Sequence, residues 1–285
     1  MTVVLIAAHN EAKYIGATLA ALRDMNMETL AMAEASAGSA EAGVPAGPAE
    51  CGSIESEALI GNAKAAENAK TAVAARSTQT QAPRIIVIDD ASTDNTAEVA
   101  LANAAELYRL PKNSGKGAAL NHGFAELAES IRMDELSDDD LVLLLDADLG
   151  ESADLAWQLL APLIRSEADL AIAIMPSPPG AGGFGLVKNL ARLAICELGS
   201  GFEAQAPLSG QRAMRLGTLR QLMPLAEGYG VEVAMTIKAL RANLRVIEVP
   251  VNFKHRYTTR NLTGFIHRGK QYLDLKKAIR KLKRA

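Results

Sequence analysis

The sequence predicts an α/β fold with a mostly parallel central sheet flanked by helices. Two observations carry this. Short apolar runs ending in an acid, Asn or Gly alternate with stretches of helical period, the arrangement of parallel strands joined by crossover helices. The runs "VVLIAA", "RIIVI" and "LVLLL" are apolar at nearly every position rather than at alternate ones, as expected of strands covered on both faces. With 285 residues, 49% of them hydrophobic, there is ample material for a large core.

The elements follow in order. "VVLIAAHN" is a first strand and "AKYIGATLAALRDM" a first helix. Residues 31–82 are rich in Ala, Gly, Ser, Glu and Pro and poor in large apolar side chains. They predict a flexible surface insertion, partly helical around "EALIGNAKAAENAKTAVAA", with a lid or docking element as the alternative. "RIIVIDD" reads as a strand, "TDNTAEVALANAAEL" as helical, "GAALNHGFAEL" as the start of another helix and "LVLLLDAD" as a further strand. "ESADLAWQLLAPLIRSEADLAIAI" supplies a helix and a strand, "PSPPGAGGFG" a turn-forming stretch, and "LVKNLARLAICELGSG" a helix. "ANLRVIEVPVNFKHR" is a late strand that Pro250 confines to an edge or an irregular position. The tail from Leu262 to Ala285 is helical, apolar at Phe265, Tyr272, Leu273, Leu275, Ile279 and Leu282 with basic residues between. It either docks on the domain or touches an anionic membrane.

Composition narrows the functional classes. A net charge of -3 gives no general attraction to nucleic acid. The apolar start is too short for a bilayer and lacks the basic residues of a signal peptide, so a cytoplasmic protein without a transmembrane segment is expected. Cys51 and Cys196 form neither a disulfide framework nor a zinc spacing, and Cys196, at an apolar position of "LARLAICEL", is expected to be a buried thiol.

The acids at the strand ends carry the chemistry. In "LLLDADLG", Asp146 and Asp148 are two apart, so a strand running through both would aim both carboxylates at one divalent cation and its phosphate partners. The plain alternative is that they cap a helix or face solvent. Asp89 and Asp90, in "VIDDASTDNT", suit hydrogen bonding to a base or ribose, while Ser92, Thr93 or Asp94 can cap the next helix. Lys116 lies between Gly115 and Gly117, where backbone can approach a ligand and the ammonium can neutralise a phosphate. The pattern lacks the first glycine of a G-x-x-x-x-G-K-[ST] loop, which weakens a nucleoside triphosphatase reading. Asn10 or Glu11 caps or binds at the end of the first strand, where His9 reads as structural. Glu232, between Val231 and Val233, is a carboxylate in apolar surroundings: an acid, a base or a hydroxyl positioner. His255, Arg256 and Arg260 form a cationic loop suited to phosphate, and the His255 ring could complete the cation's ligands.

Taken in order, "VVLIAAHNEAKYIGATLAAL", "IIVIDDASTDNTAEVA", "NSGKGAALNHG" and "LVLLLDADLG" resemble the nucleotide-sugar half of family-two glycosyltransferases with the GT-A (nucleotide-diphospho-sugar transferase) fold. "PLSGQRAM", "GYGVEVAMTIKAL" and "VNFKHR" are similar to glucosyl-3-phosphoglycerate synthases. Ala7 stands where the family usually has proline and His9 where an aromatic or aliphatic residue is common. The resemblance implies one GT-A domain over 1–285, with a nucleotide-sugar half to 150 and an acceptor half with a basic C-terminal helix over 151–285. It implies that Ala7, Glu11, Asp89, Asp90, Lys116 and Asp146 bind a UDP-sugar, with UDP-glucose or a related donor expected. Asp148 and His255 would hold a Mg2+ or Mn2+ ion; Gly210, Arg256 and Arg260 would face a small-molecule or lipid-linked hydroxyl acceptor. Glu232 would act with Asp148 in catalysis, as a base if the reaction inverts and as a hydroxyl positioner if it retains. A homo-oligomer is left open. The competing readings are a sugar nucleotidyltransferase, a non-catalytic nucleotide-sugar binder, and a polyprenyl-phosphate glycosyltransferase held at a membrane surface by the basic tail.

Overall fold

A computed structural model describes residues 1–24, 82–133, 135–176, 185–226, 228–254 and 262–284. The expected insertion and the "PSPPGAGGFG" turn therefore lie almost wholly outside the described residues, as do His255, Arg256 and Arg260.

Seven strands, β1 (Thr2–Ala8), β2 (Arg84–Asp89), β3 (Glu106–Arg109), β4 (Leu141–Asp146), β5 (Leu170–Ile174), β6 (Arg212–Arg215) and β7 (Val246–Pro250), form one sheet in the order β3-β2-β1-β4-β6-β5-β7. The β1–β2, β1–β4, β2–β3 and β5–β7 pairs are parallel; β6 alone runs antiparallel to both its neighbours, β4 and β5. The helices are α1 (Ile15–Arg23), α2 (Thr96–Ala102), α3 (Lys116–Arg132), α4 (Trp157–Ile164), α5 (Leu186–Leu198), α6 (Leu216–Leu222), α7 (Val231–Arg241) and α8 (Leu262–Arg284).

The uninterrupted apolar runs do what their pattern predicts. On β1, Val4 and Ile6 pack with Ile15, Leu19 and Leu22 of α1 and with Leu159, Leu160 and Leu163 of α4. Val3 and Leu5 point to the other face, against Leu120 and Leu127 of α3 and Leu216 and Leu219 of α6. Each such fully buried side chain contributes about 1.5–3 kcal/mol relative to exposure. A third cluster seats the tail: Leu275, Ile279 and Leu282 of α8 pack on Val233, Ala234 and Ile237 of α7 and on Ala191 and Ile195 of α5. The docking expectation for the tail is met by this face, while Lys276, Lys277, Arg280 and Lys281 remain exposed on the other.

Two expectations need correction, and two strands were not anticipated. The helical reading of "TDNTAEVALANAAEL" ends early: α2 stops at Ala102 and β3 begins at Glu106, because Ala104 turns the chain through a positive φ of 46°. The four-residue strands β3 and β6 are too short to announce themselves by periodicity. Cys196 is exposed, not buried. On α5 the inward positions are Ala191, Ala194 and Ile195, and a residue next to Ile195 is rotated by about 100° off that face. Pro250 ends β7, an edge strand, as its missing N–H requires.

Candidate active site

The parallel strands β1, β2 and β4 end side by side, and the loops beyond them build the site. Such carboxyl ends are where ligands bind in open α/β sheets.

At the end of β2, the two acids are used by the chain itself. Asp89 is fully buried; its Oδ1 accepts the Ser92 N–H at 2.8 Å and its Oδ2 pairs with Arg109 Nε at 3.1 Å. The Asp90 carboxylate accepts the backbone N–H groups of Ser114 and Gly115, both at 2.7 Å. Gly115 has φ 87°, a conformation costly for any side chain, and the loop it forms delivers Lys116 to the start of α3. Asn10, at φ 58°, donates its N–H to Ser92 Oγ at 2.9 Å and accepts the Thr93 N–H at 2.8 Å; the Glu11 N–H donates to Thr96 Oγ1 at 2.8 Å. Asp94 accepts the N–H of Thr96, first residue of α2, at 3.0 Å, but the N-cap position falls on Asn95, whose side chain makes no capping bond, rather than on Ser92, Thr93 or Asp94 as expected. His9 Nδ1 lies 2.8 Å from the Asp90 carbonyl oxygen, so the structural reading of His9 holds. Ala7 sits inside the sheet, paired with Ile88 and Asp146.

At the end of β4 the arrangement is different. Lys116 Nζ donates to Asp146 Oδ1 at 2.6 Å and lies 3.3 Å from Glu232 Oε1, at the first turn of α7. Gln211 Nε2 donates to the other Asp146 oxygen at 2.9 Å. Burial works against the Lys116 ammonium, but the charges of Asp146 and Glu232 outweigh it and raise its pKa well above the usual lysine value. A Cβ at Gly210 would lie 2.3 Å from Lys116 Nζ and 2.9 Å from Asp146 Oδ1, so a side chain there would displace the ammonium from its present position. Lys116, Asp146, Gly210 and Glu232 line a cavity of about 560 Å3 with Asn113, Leu208, Gly228, Tyr229 and Asp274. Burial and the neighbouring Glu232 push the Tyr229 phenol up to about 12. Behind Gly210, Arg212 is fully buried, donating from Nε to the Ser209 carbonyl and from Nη1 to Thr236 Oγ1, each at 3.0 Å. Burial pushes its pKa down to about 10.

Asp148 does not share this cavity. Because β4 ends at Asp146, strand alternation no longer governs the turn beyond, and Asp148 lines a separate recess of about 440 Å3 with Tyr14, Ala17, Glu151, Ser152 and Lys254. The expectation that both carboxylates would point together is corrected on that ground. The turn is held firmly. Thr18 Oγ1 donates to the Ala147 carbonyl and accepts the Gly150 N–H, both at 2.8 Å, and Ser152 Oγ accepts the Lys254 N–H at 2.8 Å. The last bond brings the chain that leads into His255 beside the Asp148 turn. Among the described residues no group of three or more His, Cys, Asp or Glu is gathered as a metal centre.

The structure thus unites Lys116, Asp146, Gly210 and Glu232 from four separate segments. Gln211, Tyr229 and Asp274 were not anticipated. The first two lie in segments whose glycines were noticeable, "LSGQRAM" and "EGYGVEV"; Asp274 had no local signal, being one acid on a basic helix.

Comparison with known proteins gives this geometry its family. The model of "Glycosyl transferase family 2" matches residues 64–187. An undecaprenyl-phosphate mannosyltransferase of Micrococcus luteus is 32% identical over 188 residues, 60% of this chain and 72% of that protein. Glucosyl-3-phosphoglycerate synthase of Mycobacterium tuberculosis, solved with phosphoglyceric acid, superposes with a TM-score of 0.63 at 20% identity, covering 99% of this chain and 79% of that one. The same enzyme with Mn2+, uridine-diphosphate and phosphoglyceric acid gives a TM-score of 0.64 at 19% identity, covering 99% and 78%. The structural likeness establishes the GT-A fold, while the family match and the mannosyltransferase relative show that the chain belongs to glycosyl transferase family 2 and is a glycosyltransferase.

Proposed function

We propose that the protein transfers a sugar from a UDP-sugar, UDP-glucose or a close relative, to a hydroxyl acceptor with the help of a divalent cation. The observation that carries the reading is the cavity at the carboxyl ends of the parallel strands, where Lys116, Asp146 and Glu232 converge beside Gly210. Solved structures of the same fold hold Mn2+, UDP and UDP-glucose, which supports the choice of donor and ion.

The roles follow from position. The Ser114–Gly115 loop, held by Asp90, and the Asn10–Glu11 turn frame the nucleoside side of the site. Asp89 and Asp90 act there by shaping these loops, with Glu11 and the strand end at Ala7 beside the base. The Asp148 recess suits a hard cation: it offers a carboxylate in a turn fixed by Thr18 and Ser152. Asp148, with His255 from the chain following Lys254, would hold the ion. Bound there, a divalent cation offsets the negative charge that develops on the departing diphosphate. Lys116 holds Asp146 and Glu232 in place, so that their remaining oxygens can accept hydrogen bonds from sugar hydroxyls. Glu232 takes the acceptor proton if the reaction inverts and orients a hydroxyl if it retains. Gly210 keeps the floor of the cavity open, and Arg256 and Arg260 are assigned to an acceptor's anionic group. The single-domain division at about residue 150 is part of the same proposal, with β5, β6 and β7 of the second half completing the sheet.

A second reading has its own support. In a polyprenyl-phosphate glycosyltransferase the acceptor is a lipid phosphate, and the relative from Micrococcus luteus carries that name. The exposed basic face of α8, with Leu273 at 66% exposure, suits an anionic bilayer surface. Among the described residues no helix is long and apolar enough to cross a membrane. Cosedimentation with anionic vesicles, lost on removal of the tail, would favour this version.

The deciding experiment is calorimetric titration of UDP, GDP and ADP into the wild type and Asp148→Asn, each with and without Mn2+. UDP binding that needs both Mn2+ and Asp148 is the expected result. Failure of all three nucleotides to bind overturns the proposal.

A further inference from the structure

The C-terminal helix is a wall of the cavity as well as a docked tail. Asp274 lines the cavity beside Tyr229 and Glu232, although it is 42 residues beyond Glu232 in the chain. Its place is set by tight packing. A Cβ on Gly230 would lie 2.5 Å from Ala278 Cβ, and one on Gly228 would lie 4.0 Å from Asp274 Oδ2. The adjacent Leu275 is fully buried, and Ile279 and Leu282 one and two turns on are buried with it. Gly230 therefore lets α8 approach until one acid of an otherwise basic helix reaches the cavity.

The charges around the cavity then have a consequence. Among the described residues its lining carries three carboxylates, Asp146, Glu232 and Asp274, against one ammonium, Lys116. Lys116 is already shared between Asp146 and Glu232, whereas Asp274 makes no hydrogen bond or ion pair with any described residue. A cavity with this balance repels a carboxylate, a phosphate or a diphosphate and accepts a group rich in hydroxyls, which donate to carboxylate oxygens.

Resting on the donor site put forward above, we propose that this cavity takes the sugar of the donor and that Asp274 of α8 is a specificity residue selecting a neutral hexosyl group over a uronic acid. The diphosphate stays outside, toward the Asp148 recess, and the tail helix is needed for sugar recognition rather than for nucleotide binding.

The test is calorimetric binding of UDP, UDP-glucose and UDP-glucuronate, with Mn2+, to the full chain and to Asp274→Asn. The wild type should bind UDP-glucuronate at least about tenfold more weakly than UDP-glucose, as expected of a like-charge contact in a confined site. In Asp274→Asn that ratio should shrink to about threefold or less while the affinity for UDP alone and the thermal midpoint stay unchanged, since only one charge has been removed. Equal binding of the two sugars by the wild type overturns the inference and leaves the donor site standing. So does an Asp274→Asn variant that keeps the wild-type ratio, or one that loses UDP and UDP-sugars alike. Failure of UDP itself to bind the wild type would instead remove the donor site, and this inference with it.

Discussion

Two aspartate motifs end the two strands that flank β1, and they have been put to opposite uses. At the end of β2, Asp89 and Asp90 are 0% and 4% exposed; their oxygens accept from the chain's own backbone, and Asp89 Oδ2 is ion-paired with Arg109. At the end of β4, Asp146 and Asp148 are half-buried and each faces an open volume, Asp146 with Lys116 and Asp148 in the recess beside Lys254. The difference teaches that an acid at a strand end is available for chemistry only to the extent that local N–H groups have not claimed it. A Ser-Gly loop with a positive φ claims Asp90, whereas Asp146 is met by long side chains from other segments, Lys116 and Gln211.

The sharpest way to break the contrast is Asp148→Asn. It preserves shape and removes charge, so turnover should fall by about 100- to 1000-fold, the usual scale for losing one electrostatic stabiliser. The thermal midpoint should not move. Full activity across a Mn2+ titration would put Asp148 in the same structural class as Asp90. Next comes Asp90→Ala, which removes two hydrogen bonds to a charged acceptor, worth roughly 1.5–3 kcal/mol each, and should cost about 2–4 kcal/mol in urea unfolding because water can reach the freed N–H groups of exposed Ser114 and half-buried Gly115. An unchanged midpoint there would show that the loop does not depend on its acid. A smaller cost, about 1–3 kcal/mol, is expected for Lys116→Met, because the ammonium keeps 27% exposure and the full penalty for breaking a buried pair does not apply. That variant should also lose the sugar's share of donor affinity while keeping UDP binding, which the same calorimetry reads.

The smallest effect is a pH dependence. The Tyr229 phenol is raised to about 12 from an ordinary value of 10.0, so the folded state holds the proton that the unfolded chain releases first. Its contribution to stability is fully present below pH 10, declines between 10 and 12, and is lost above the folded value. Unfolding measured across that window should fall off less steeply in Tyr229→Phe than in the wild type. Identical slopes would mean that the phenol is solvated and the cavity wetter than its lining suggests.

Much of this was legible in the chain. The all-apolar runs of β1, β2 and β4 identified buried parallel strands, because a strand with helices on both faces has no polar side to show. Lys116, Asp146 and Glu232 stood out for the same reason in reverse, as charges beside glycine or buried apolar neighbours. Harder to see were β3 and β6, whose four residues are shorter than any period can reveal. Cys196 misled because it shares an apolar stretch with Ile195 but not its helix face.

By itself, then, the sequence determined the order of strands and helices, the acids at the strand ends and the glycines that permit close approach, since these depend on contacts and conformations within a few residues. Only the tertiary structure decided which acids are spent and which are presented. It closed the Lys116–Asp146 pair across 30 residues, turned Asp148 away from Asp146, and laid Asp274 against a cavity begun at Asn113. Those outcomes rest on how separate helices pack on one sheet, and the energy of an ion pair or a cavity wall is set by atoms that approach only when the whole chain has folded.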